Sequence, residues 1–294
     1  MKAETLFDTE MIRQNRLRAL ARNPAGADFL LRVVAGELAD RLGVVERRFA
    51  RAAALHCHTG LIAGLLAGSG KIDDITRIEA GPELFTDDAP DAGRVVAAFD
   101  AFPFDRERLQ LVVSALSMHL VDDLPGLLRQ IADSLSPDGL FLAALPGAGT
   151  LGELRDCLLS AETELSTGAS PRIIPFADIR DCGSLLQRAG FALPVVDSET
   201  YTVRYDTMFH LMGDLRDMGM ANPLAGRSRR PATRALFARA AEIYADRYAD
   251  DDGRIRASFN IVYLSGWKPD PGQQKPLRPG SAKMSLTDAL NSGS

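Results

Sequence analysis

The sequence predicts an α/β fold built on a mostly parallel, doubly wound sheet, and three observations predict it. Between residues 50 and 145, short apolar runs alternate with helical stretches, the order that places helices on both faces of a parallel sheet. The apolar runs are nearly continuous, Leu109–Ala115 above all, as strands covered on both faces require. A long helical stretch, 206–250, then separates the extended pair Leu193–Asp197 and Tyr201–Arg204 from a final alternating run, Ser258–Leu264. That arrangement predicts a closing hairpin whose last strand is antiparallel.

Each element has its own justification. Residues 4–48 read as helical throughout, with Phe29, Leu30, Val33, Val34, Leu38 and Leu42 at helical spacing and a stop at Gly43. Ala52–Leu55 reads as a strand, Leu61–Leu66 as a helix, and Ile75–Ile78 and Arg94–Phe99 as strands. Leu124–Leu135 is an amphipathic helix stopped by Ser136-Pro137-Asp138-Gly139, and Leu140–Leu145 is the strand that follows. Thr150 reads as the N-cap of a helix through Glu164, with Glu153 completing a capping box. Ser166–Pro175 is a loop, and Asp178–Ala189 is a helix closed by Gly190. Asp206–Met218 and Ala232–Tyr248 are helices joined by a loop with Pro223, Gly226, Arg227, Arg229 and Arg230, the arginines expected to be solvated. The last strand ends at Gly266-Trp267. The predicted organisation is an N-terminal helical segment 1–48, an α/β domain 49–268 with helical insertions at 150–176 and 206–250, and an extended tail 269–294. Both insertions should cover the carboxyl edge of the sheet and face a partner, being longer than ordinary connections.

Composition excludes several function classes. Lys plus Arg is 34 against Asp plus Glu at 39, a net charge of −5, which lacks the positive field that nucleic-acid binding needs. No apolar run approaches the ~20 residues of a membrane span. Three cysteines, Cys57, Cys157 and Cys182, make neither an even disulfide framework nor a metal-ligand spacing. With no apolar stretch near Met1, the expected location is the cytoplasm.

Three segments carry a family resemblance: Asp100-Ala101-Phe102-Pro103-Phe104, then Leu111–His119, then Leu135-Ser136-Pro137-Asp138-Gly139-Leu140-Phe141. Together they resemble the class I S-adenosylmethionine (SAM) methyltransferases, whose fold is a Rossmann-like seven-stranded sheet with an antiparallel last strand. Further segments are more specific: Phe7-Asp8, Glu153-Leu154-Arg155, Ala161–Glu164, Ser170–Phe176, Leu185–Phe191, Met208–Met212 with Asp214-Leu215, Gly266-Trp267-Lys268 and Arg278–Ala282. These are similar to the complex I assembly factor 5 (arginine hydroxylase) group and, more distantly, to the malonyl-carrier-protein methyltransferases of biotin synthesis. The resemblance implies SAM as cofactor, a protein substrate, a complex I subunit, and a bacterial cytoplasmic location peripheral to the inner membrane face.

It also implies a site. The cofactor loop after the first strand corresponds to Ala54-Leu55-His56-Cys57-His58-Thr59-Gly60. Here His56 and His58 stand where the family has glycines, Ala54 replaces an acidic residue, and Gly60 is kept. Glu79 falls near the acidic position that receives the ribose hydroxyls, and Asp100 with Ala101 at the one that meets the adenine. Ser114 stands at the end of the fourth strand and His119 follows it. Because the first and fourth strands are neighbours in this fold, His56, His58 and His119 are expected to share one cleft. His-x-His with a third histidine is a possible metal site, but no metal ligand is assigned, and His210 reads as a packed surface residue. Glycines at 56 and 58 would let the backbone lie against the cofactor, so weak or absent SAM binding is expected. No catalytic base stands out. Three functions remain open: methyl transfer to a protein partner, arginine hydroxylation of a complex I subunit, and a non-catalytic assembly scaffold.

Overall fold

The computed structural model describes residues 5–22, 24–86, 91–166, 168 and 170–273. Seven strands form one sheet: β1 (Phe49–Leu55), β2 (Ile72–Glu79), β3 (Gly93–Val96), β4 (Leu109–Ala115), β5 (Leu135–Pro146), β6 (Ala192–Tyr205) and β7 (Ile255–Trp267), in the order β3-β2-β1-β4-β5-β7-β6. β1 pairs parallel with both β2 and β4, and β7 runs antiparallel to β5 and β6. The seven-stranded sheet with its antiparallel closing strand is therefore present as expected. The strand order reverses between β1 and β4, and ligands in such sheets gather beyond the carboxyl ends at that point.

Side chains alternate across the sheet. Ala52, Ala54, Leu111 and Val113 enter a core beneath the helices α2 (Phe29–Gly43), α3 (Leu61–Gly68), α5 (Gly152–Leu165), α7 (Met208–Asp217) and α8 (Arg234–Tyr248). Ala53, Leu55 and Val112 point the other way, against α4 (Leu124–Ser134) and α6 (Ile179–Ala189). A third, smaller cluster of Phe7, Ile12, Phe99, Ile174 and Leu224 lies apart. It attaches the first helix, α1 (Thr9–Arg22), to the end of β3 and to the segments before α6 and after α7.

Several local expectations need correcting. The N-terminal helix is two helices, α1 and α2, parted near Pro24 and Gly26, where Gly26 takes φ +83°. Thr150 does not cap α5. Its hydroxyl donates to the Asn260 carbonyl and accepts from the Asn260 N–H, while Glu153 accepts from the Ser258 N–H and hydroxyl instead of turning back on its own helix. Tertiary partners on β7 outcompete the local box. Ser136–Gly139 is a bulge within β5: Leu109 pairs with Leu135 but Leu111 with Leu140, and Asp138 has φ +60°. The expected strand at Arg94–Phe99 ends at Val96, and the two extended runs near 193–204 are one strand, β6. Arg227 is not solvated, because its guanidinium pairs with Asp8 at 2.9 Å and donates to the Leu224 carbonyl. The α6 boundaries hold: Asp178 accepts from the N–H groups of Arg180 and Asp181, and Gly190 closes the helix at φ +92°. Most of the tail, from residue 274 on, lies outside the described residues.

Candidate functional site

The carboxyl ends of β1, β2 and β4 bring the expected residues close together but divide them into two sides. On the first side His56 leaves β1 at φ +49°, the left-handed conformation for which glycine is ordinarily required. The residue is 1% exposed, and its ring packs on Phe99 with centroids 4.7 Å apart. His56 Nδ1 lies 3.9 Å from Glu79 Oε2. Arg16, from α1, puts Nη1 3.6 Å from the same oxygen and its guanidinium 5.0 Å above the Phe99 ring. Arg77 Nη2 reaches Glu79 Oε1 at 3.7 Å. Glu79 is thus fully buried and enclosed by two guanidinium groups and an imidazole, held by charge rather than by hydrogen bonds.

On the second side is a cavity of about 110 Å³, many times the ~10–15 Å³ that one water needs. Its walls include His58, Thr59, Leu116, His119 and Leu120 from the strand ends. The rest comes from α1 and α2, from Leu151, from 172–176 and from 215–223. His58 (φ +68°), Leu116 (+54°) and Leu151 (+53°) all line it in left-handed conformations. Backbone strain of that kind costs about 1–3 kcal/mol per residue and clusters at functional sites. Burial, then the Arg16 charge, pushes the imidazoles of His58 and His119 down to about 3, so both are neutral at pH 7.

The remaining expected residues lie off the cavity. Cys57 is buried, its thiol pushed up to about 12 by burial and then by Glu79, so no thiolate nucleophile forms near neutral pH. Ser114 is committed to the sheet, its hydroxyl donating to the Leu55 carbonyl at 3.0 Å and meeting Ser117 Oγ at 3.1 Å. Gly60 precedes α3. Asp100 is exposed in the turn after β3, its carbonyl accepting from Gln130 Nε2, with Ala101 beside it. Of the three histidines expected in one cleft, His58 and His119 share the cavity while His56 turns to Glu79. His210 is exposed, 3.9 Å from Asp206. Among the described residues no group of three or more His, Cys, Asp or Glu is placed to hold a metal.

Sequence reading missed Arg16 and Phe99. The signal was present: the buried face of α1 is Ile12, Asn15, Arg16 and Ala19, an i, i+3, i+4, i+7 stripe with two polar residues where apolar ones belong.

This geometry does not fit SAM as it stands. A ribose at Glu79 would need the space held by the His56 ring and the Arg16 guanidinium, and Glu79 does not reach the cavity.

Comparison with known proteins gives the lineage. Residues 55–143 match the model of a methyltransferase domain. A Bacillus halodurans protein described as a methyltransferase superposes with a TM-score of 0.56 at 14% identity, covering 80% of this chain and 99% of that one. The mouse arginine-hydroxylase NDUFAF5, mitochondrial, is 39% identical over 290 residues, 97% of this chain and 84% of that protein. The chain belongs to the NDUFAF5 family. The human NDUFAF5 protein is 38% identical over 96% of this chain and 82% of its own length. The malonyl-[acyl-carrier protein] O-methyltransferase of Laribacter hongkongensis is 30% identical over 93% of this chain and 94% of its own length. The molecule is accordingly a methyltransferase-fold member of the NDUFAF5 family. The expected bacterial cytoplasmic location is corrected by the same finding, since these NDUFAF5 relatives are mitochondrial proteins of eukaryotes. No described helix is long and apolar enough to cross a membrane.

Proposed function

We propose that this protein binds an arginine side chain of a protein partner at the cavity beyond β1 and β4 and hydroxylates it, as its family's name describes, a C–H bond becoming C–OH at the expense of dioxygen and a two-electron reductant supplied from solution, with water as the other product. One observation carries the reading. The general methyltransferase match stops at residue 143, yet most of the cavity wall lies outside it, on α1, α2, Leu151, 172–176 and 215–223. Those segments fall within the stretch that aligns with the NDUFAF5 proteins over 97% of the chain. The segments that shape the cavity thus lie outside the general domain match and inside the stretch that aligns with the NDUFAF5 proteins, and the function of a fold resides in such grafted sites. The resemblance supplies the partner, a subunit of respiratory complex I. Residues 150–176 and 206–250 are the surface we assign to it. Phe209, exposed on α7 beside buried Met208 and Leu211, offers a side chain to such a partner.

Methyl transfer is the second reading, favoured by the malonyl-carrier-protein methyltransferase that aligns over 94% of its own length. SAM would then have to enter a loop whose glycine positions are His56 and His58. Co-expression with the partner subunit, followed by mass spectrometry of its arginine peptides, separates the readings. One added oxygen on arginine supports hydroxylation, one added methylene supports methyl transfer, and unmodified arginine in a stable complex leaves only a scaffold.

A further inference from the structure

Beside the cavity lies a second, more open groove, and the segment 171–176 divides the two. Arg172, Ile174 and Phe176 line the cavity, Pro171 and Pro175 line the groove, and Ile173 touches both. Leu6, Leu224, Gly226 and Arg155 complete the groove, next to the bridge that joins Phe7 to Leu224. Its surface is mostly apolar and open to solvent: Leu6 is 46% exposed, and Pro171 and Pro175 are exposed with it. Three of the segments that carry the family resemblance, Phe7-Asp8, Glu153-Leu154-Arg155 and Ser170–Phe176, form this groove or adjoin it.

The rim of the groove is basic. Arg155 is exposed, gives one N–H to the Ile174 carbonyl at 2.8 Å, and has no carboxylate partner among the described residues. The exposed Arg230 has none either. Arg227 and Arg229 both turn to Asp8, at 2.9 and 3.8 Å, while the other Asp8 oxygen accepts from the Met11 N–H. The remaining carboxylates nearby are occupied as well. Asp122 accepts from the Leu6 and Phe7 N–H groups, Glu162 is held by Arg172, and Asp156 by Arg247 and Tyr248. Positive charge is thus in excess around an apolar floor. A partner's arginine on its way to the cavity meets repulsion here unless its own chain brings acidic residues with it.

We infer that this groove holds the partner's polypeptide beside its target arginine, with an apolar side chain against Pro171, Ile173 and Pro175 and flanking acidic side chains against Arg155 and Arg230. The inference rests on the reading of the cavity as the arginine site and deepens it by naming the sequence around that arginine. Apolar contact supplies the burial, and the arginines supply steering and choice of partner. The target is then selected by its neighbours as well as by its guanidinium, and an arginine within a basic stretch is rejected.

Fluorescence anisotropy on the full chain tests this with labelled synthetic peptides that contain no arginine. The first is Gly-Asp-Glu-Leu-Glu-Asp-Gly, the second has serine in place of leucine, and the third has lysine in place of every acid. The first should bind saturably at low salt and lose affinity as salt rises, the serine peptide should bind more weakly, and the lysine peptide should not saturate. Arg155→Glu with Arg230→Glu should weaken the first peptide about tenfold, the weight of two exposed ion pairs lost and reversed. Arg230→Glu alone, at an exposed side chain, gives the readout if the double variant does not fold, with a loss of about threefold. Because the peptides carry no arginine, the groove and the cavity fail separately. Peptide binding by a chain that leaves the partner's arginine unmodified supports the groove and sinks the hydroxylation, whereas a modified arginine without peptide binding does the reverse. Equal binding of the lysine peptide or unchanged affinity in the folded variants would overturn the inference. So would self-association of the chain in place of peptide binding, which would give the groove to a second copy.

Discussion

The two sides of the cleft are built from neighbouring residues of the same loop, yet His56 and His58 do opposite things. Both adopt left-handed backbone, at φ +49° and +68°, so the path of the chain that glycines would permit is kept. Two residues apart, their side chains diverge. The His56 ring enters the space between β1, Glu79 and Phe99 and closes it, whereas His58 stands in the wall of an open cavity. One left-handed loop can therefore send one side chain to close the space on one side of a cleft while another leaves the other side accessible.

The largest effect that would sharpen this contrast comes from the closed side. Glu79→Ala removes the carboxylate that faces Arg16 and Arg77, and breaking a buried charge cluster by deleting one partner costs about 3–5 kcal/mol. Asp217→Ala, on the open side, breaks a partly exposed pair with Arg22 and should cost no more than about 1 kcal/mol. Urea unfolding of the two variants measures the difference, and equal losses would break the comparison.

Acid should act through the open side. The folded-state values of His58 and His119 are lowered from 6.5 to about 3, so the unfolded chain binds more protons between those limits. Stability is then fully present above pH 6.5 and is lost as pH falls toward 3. The melting temperature should drop between pH 7 and pH 5, and the drop should shrink in a His58→Gln, His119→Gln double variant. An unchanged drop would mean that other groups set the acid limit.

Smaller effects belong to the backbone. Gly219 sits at φ +73°, and an added Cβ would meet the Arg16 main chain at 3.4 Å and the His58 ring at 3.3 Å. Gly219→Ala should cost about 1–2 kcal/mol, read by urea unfolding. His58→Gly should gain about 1 kcal/mol or less, since relief of the left-handed strain is offset by glycine's greater freedom when unfolded.

Much of this was legible in the sequence. Leu109–Ala115 is recovered as β4 with the expected limits, and Asp178 and Gly190 bound α6 as their types predict. Such features are local: a buried strand or a cap depends on residues a few positions apart. The capping box at Thr150 failed because its hydroxyl found β7, 110 residues away, which no window around it could reveal. The site divided along the same line. Sequence could name the loop residues but not the direction of each ring, and Arg16 acquires its meaning only when α1 folds back over Phe99 and Glu79.

The central claim is that His56, with Arg16 behind it, closes the Glu79 side to a nucleoside. Calorimetric titration of SAM into the full chain, beside a His56→Gly, His58→Gly variant, tests it most directly. A misplaced side chain in a close-packed site costs about 1–3 kcal/mol, His56 is the one that fills the Glu79 side, and every 1.4 kcal/mol is tenfold in affinity. The predicted result is weak or undetectable binding to the natural chain and at least tenfold tighter binding to the glycine variant. Micromolar binding to the natural chain, unmoved by the two glycines, would contradict it.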